Sequence, residues 1–154
     1  MGVASGNSPA GTVRDALTEV RDLLCCASGA IIRSLDSAHS ELDLSRILSF
    51  HGVEHAVSSG SVCVTMTSLW RAVEQGVMTG FDEVWIHGNG LPAINLENVP
   101  GATSDGVDFS AGIPAGLADA MDATDCILVL GDGCGLNYAT PDHRIAERLS
   151  SNVA

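Results

Sequence analysis

The pentapeptide His51-Gly52-Val53-Glu54-His55 has the spacing in which two imidazoles and a carboxylate can work on one bound cation. On an unbroken helix the two histidines share a face and ligate zinc, while Glu54 activates a zinc-bound water. Two features weigh against that chemistry. Gly52 stands inside the motif, where it costs a helix about 1 kcal/mol relative to Ala and invites termination. The downstream Glu that inverted zinc peptidases use as third ligand has only Glu147 to fill it beyond Asn98. The plainer reading is a helix that ends at one histidine, with a second nearby by chance.

Gly131-Asp132-Gly133-Cys134-Gly135 is the second constellation, directly after the apolar run Cys126–Leu130. Backbone N–H groups in such a turn can cradle a phosphate, and open α/β sheets place ligands at this end of a strand. The dinucleotide fingerprint fails, because its last glycine falls on Leu136 or Tyr138. A phosphate-binding lysine is excluded as well, since the chain has no Lys, and Asp132 would repel an anion. Cys134 is not framed as a nucleophile elbow, and the calcium-loop pattern of alternating oxygens with a terminal Glu is missing. Only tertiary folding could bring Cys134 to His87 or His143. A tight turn with Asp as turn former accounts for the segment, and His87-Gly88-Asn89-Gly90 is a weaker version of the same signal.

The third constellation is charge. Nineteen acidic residues against seven basic ones give a formal charge of -12, and every basic residue is Arg. Between Arg71 and Arg144 no basic side chain occurs, while Glu74, Asp82, Glu83, Glu97, Asp105, Asp108, Asp119, Asp122, Asp125, Asp132 and Asp142 all do. Asp119 and Asp122 are spaced i, i+3 on an expected helix, so they form an acidic stripe beside the loop residues Asp105 and Asp108. Such a field speeds association with a basic partner. It also opposes nucleic acid and anionic lipid, which need cations.

These residues need a scaffold. Residues 1–11, rich in Gly, Ser, Ala and Pro, read as a flexible leader, and residues 12–154 as a single domain. Thr12 caps a helix with apolar positions Val13, Ala16, Leu17, Val20 and Leu24. The pattern blurs over Cys25–Leu35. Ser40 opens a second helix with the stripe Leu44, Ile47 and Leu48, and Gly52 stops it. Val62–Met66 reads as a strand, Thr67 or Ser68 starts a helix that Gly80 ends, and Phe81–Ile86 reads as another strand. That order suggests a βαβ crossover. A long connection runs from His87 to about Ile113, and Pro114 begins a helix reaching about Thr124. Cys126–Leu130 is a strand covered on both faces, and Thr140-Pro141-Asp142 starts the last helix. The expected fold is therefore α/β: a small, largely parallel sheet of three to four strands flanked by helices, with a helical N-terminal third. An α+β arrangement with an antiparallel edge hairpin is the alternative.

Five cysteines with no C-x-x-C suggest reduced thiols in a cytoplasmic protein, and no signal sequence or membrane-length apolar stretch is visible. Trp70 and Trp85 read as core residues. No cofactor is implied. The functional expectation is an acidic, non-catalytic protein-binding module, of inhibitor or immunity type, that docks a basic partner through Asp105, Asp108, Asp119 and Asp122 with Asp82 and Glu83. The alternative is a small hydrolytic enzyme, zinc-dependent through His51, Glu54 and His55 or using the Gly131–Gly135 turn.

Overall fold

Capping chemistry fixes the helices of the computed structural model, which describes residues 3–34, 41–58, 61–78, 81–88, 121, 125–133 and 135–150. Thr12 Oγ1 accepts the Asp15 N–H at 3.1 Å and starts α1, Val13–Val20, which runs into a 3-10 turn at Arg21–Leu24. Helix α2, Glu41–Phe50, ends as expected at Gly52, whose φ is +69°. There the Gly52 N–H reaches the Ser49 carbonyl and the Val53 N–H the Leu48 carbonyl, the paired bonds of a Schellman stop.

Helix α3, Met66–Glu74, differs from the sequence reading at both ends. Thr65 caps it by accepting the Ser68 N–H, and Gly76 with φ +72° closes it by the same Schellman bonds, well before Gly80. The last helix, α4, spans His143–Ser150, and Asp142 Oδ1 accepts the Arg144 N–H at its start.

The strands are β1 (Ala4–Asn7), β2 (Gly29–Arg33), β3 (Ala56–Ser58), β4 (Ser61–Thr65), β5 (Glu83–His87), β6 (Cys126–Gly133) and β7 (Gly135–Thr140). They form one seven-stranded sheet in the order β1-β7-β6-β5-β2-β4-β3, and every neighbouring pair is antiparallel. This overturns the expected largely parallel sheet of three to four strands; the architecture is α+β. The helical N-terminal third fails with it, because residues 4–7 and 29–33 are strands. Residues 4–7, read as leader, pair with β7 along the sheet edge.

The strand–helix–strand unit β4-α3-β5 does exist, but β2 lies between its strands. Both β4 and β5 run antiparallel to β2, so they point the same way without touching. The local pattern was legible and the pairing was not, because a crossover leaves room for a strand from elsewhere in the chain.

One sheet face carries the main core. Ala30, Ile32, Val62, Val64, Val84, Ile86, Leu128, Leu130, Leu136 and Tyr138 meet the apolar stripes of α1, α2, α3 and α4 in a single cluster. The opposite face is buried too. Its central row runs Ala139–Val129–Trp85–Ile31–Cys63 through successive register pairs. That double burial explains why β2, Gly-Ala-Ile-Ile-Arg, shows no polar alternation. Trp85 is a core residue as expected, whereas Trp70 is half-buried beneath the Arg21 guanidinium, 4.7 Å from its ring centre.

Candidate docking edge

The zinc motif resolves into a connector. Helix α2 stops at Phe50, so His51 and His55 do not share a helical face. His55 is occupied on both ring nitrogens: Nδ1 donates to the Val53 carbonyl at 2.9 Å, which leaves Nε2 to accept from Ser45 Oγ at 2.6 Å. Glu54 is exposed. Among the described residues no group of three His, Cys, Asp or Glu side chains could hold a metal ion. Gly52 did what its intrinsic preference predicts, and the shared helical face that the metal reading requires is not formed.

What the connector builds is an apolar corner. Val53, 1% exposed, anchors the loop into the core, and the Ser45–His55 bond ties it back to α2. Phe50 is thereby left 85% exposed, its ring edge-on to exposed His51 with centroids 5.1 Å apart. Next to α2 lies β3, the last strand of the sheet, where Val57 is 48% exposed. Phe50 and Val57 are the exposed large hydrophobic residues among those described. Beyond β3 the ladder has no further strand among the described residues.

Sequence reasoning missed this corner, although a signal was present. The stripe Leu44, Ile47, Leu48 continues to position 51, so an aromatic at position 50 stands off the buried face.

The acidic residues divide differently from the expectation. Glu83 is wholly buried: Oε2 accepts from Arg33 Nη2 at 3.0 Å and Oε1 from Trp85 Nε1 at 2.6 Å. It is a structural carboxylate inside the sheet and cannot meet a partner, which corrects its assignment to the docking face. A strand that buries both faces takes its acidic residue inward together with a guanidinium. Asp82, one position earlier, is half-buried and accepts from Ser34 Oγ at 3.4 Å. Asp105, Asp108, Asp119 and Asp122 lie outside the described residues, as do Cys134 and most of the connection that followed His87.

The glycine-rich segment is a hairpin. Strands β6 and β7 pair up to Gly133 and Gly135, and Gly135 has φ +124°. No helix follows it, so the phosphate cradle at a strand-to-helix turn is not formed. His87 is buried with its ring over Gly29, and His143 is exposed at the start of α4.

Among the described residues five arginines are held by carboxylates: Arg21 by Glu74, Arg33 by Glu83, Arg46 by Asp43, Arg144 by Asp142 and Arg148 by Asp22. The few cations are thus largely compensated locally. No protein-family profile, curated protein or solved structure matches the chain. No helix among the described residues is long and apolar enough to cross a membrane.

Proposed function

We propose that this protein is a non-catalytic binding module that docks a basic protein partner at the Phe50–Val57 corner. The observation that supports the reading is an 85% exposed aromatic beside β3, the last strand of the sheet among the described residues, on a chain whose formal charge is -12. A partner strand added to β3 would gain backbone hydrogen bonds, Phe50 would supply the buried anchor, and the strongly negative net charge of the chain would favour a cationic surface. Local pairing of five arginines leaves little positive charge to oppose such a partner. An inhibitor or immunity-type protein that covers a cationic enzyme fits this chemistry, in a reducing, cytoplasmic setting suited to its free thiols.

The test places a photo-crosslinking benzoylphenylalanine at position 50 in the native cell, with an equivalent label at exposed Arg71 as control. The expected result is a discrete crosslink from position 50 alone to a protein of basic isoelectric point. Binding of that protein should weaken with salt and lose about 2 kcal/mol or more in Phe50→Ser and Val57→Lys. A partner that is acidic, an absent crosslink, or affinity unchanged in both variants would overturn the proposal.

A further inference from the structure

Away from the docking corner, the 3-10 turn, the start of β6 and the start of α4 line an open pocket of about 580 Å³. Three of the chain's five cysteines line it: Cys25, Cys26 and Cys126. Cys25 and Cys26 are exposed with their sulfurs 3.8 Å apart, while Cys126 is buried. Leu23, Ile127 and Pro141 supply apolar wall, and Arg144 lies close enough for its charge to act on both exposed sulfurs.

Two adjacent thiols at this separation suit a centre that bonds to both. Tetrahedral zinc sets neighbouring thiolate sulfurs about 3.8 Å apart and pyramidal trivalent arsenic about 3.4 Å apart, so the observed spacing is within a small side-chain rotation of chelating either. A divalent cation held this way needs further protein ligands. Among the described residues no third His, Cys, Asp or Glu joins the pair. The centre that fits is one whose remaining bond is already made.

We propose that Cys25 and Cys26 form a bidentate site for a trivalent arsenic-type centre carrying one apolar organic group, with that group seated against Leu23, Ile127 and Pro141. The reaction balances without a redox partner. An oxide R–As=O and two thiols give R–As(S)2 and one water; two As–S bonds form, the As–O bond is lost, and arsenic remains trivalent. The hydrogen bond with Cys25, followed by that sulfur's charge, holds the Cys26 thiol above its ordinary range. The two thiol protons leave with the oxygen as that water.

Phenylarsine oxide and methylarsine oxide are the probes, read by intact mass and by release into excess 2-mercaptoethanol or dithiothreitol. The expected result is one phenylarsenic per chain, retained against the monothiol and removed by the dithiol. Cys25→Ser and Cys26→Ser, both at exposed positions, should each release the label at least tenfold faster while keeping the wild-type melting temperature. The phenyl adduct should outlast the methyl adduct. Label that survives the monothiol in both serine variants, or is stripped from the wild type, overturns the dithiol site. Equal retention of the two arsenicals overturns the seating of the organic group.

Discussion

Arg33 and Glu83 face each other from paired positions of β2 and β5, with Nη2 and Oε2 3.0 Å apart and their side chains 7% and 0% exposed. Trp85 donates to the other carboxylate oxygen, so the acid is engaged on both sides. Removing one partner of such a pair strips the other of a buried charge-assisted contact, and the cost is steep. Glu83→Ala is expected to lose about 3–5 kcal/mol in urea unfolding. Glu83→Gln, which keeps an acceptor for Trp85, should lose less. Loss below 1 kcal/mol in the alanine variant would show that the pair is not held as described.

Gly29 is fixed by what surrounds it. A Cβ there would stand 2.7 Å from the Val64 carbonyl oxygen and 3.2 Å from His87 Cε1. The carbonyl belongs to the β2–β4 ladder and cannot retreat without breaking it. Gly29→Ala should therefore destabilise by about 1–3 kcal/mol, as overpacking does. Unfolding within about 0.5 kcal/mol of wild type would contradict the close approach.

Burial pushes the Cys126 thiol up to about 12 from its ordinary 9.0. The unfolded chain therefore gives up this proton at a lower pH than the folded one. The contribution to stability is complete below pH 9 and is lost as pH rises toward 12. Cys126→Ala should flatten this alkaline decline in a pH series of denaturation curves. In native protein at pH 8, a thiol reagent should modify Cys25 and Cys26 quickly and reach Cys126 only after denaturant is added. Rapid native labelling of Cys126 would rule out its burial.

The helix caps make a graded test of local structure. Thr12→Ala removes the acceptor for the Asp15 N–H, and Thr65→Ala the acceptor for the Ser68 N–H. Each should cost about 1 kcal/mol, and the serine variants should recover most of it. Serine variants as unstable as the alanine ones would assign the loss to the threonine methyl group instead.

Several elements could be read directly from the residues. Thr12, Gly52 and Asp142 mark helix ends because capping bonds reach only a few residues along the chain. The Leu44, Ile47, Leu48 stripe and the apolar cores of β4, β5 and β6 were visible for the same local reason. Strand β2 was hidden within the blurred stretch Cys25–Leu35, since burial on both faces erases the alternation that marks a strand. Strand β1 resembled a leader because a short edge strand of small residues has no signal apart from its partner β7. The candidate site followed the same division. Gly52 argued against the zinc motif in advance, whereas the inward turn of Glu83 and the outward turn of Phe50 depended on their neighbours.

By itself, the sequence determined the helix ends at Thr12, Gly52 and Asp142, the apolar stripes and the strongly negative charge, all of which rest on residue type and interactions within a few positions. Only the tertiary structure decided that β2 inserts between β4 and β5, that the sheet is antiparallel throughout, and that Phe50 meets solvent. A strand's hydrogen bonds are made to residues far along the chain. Their partners are chosen by the packing of the whole core, which no local window contains.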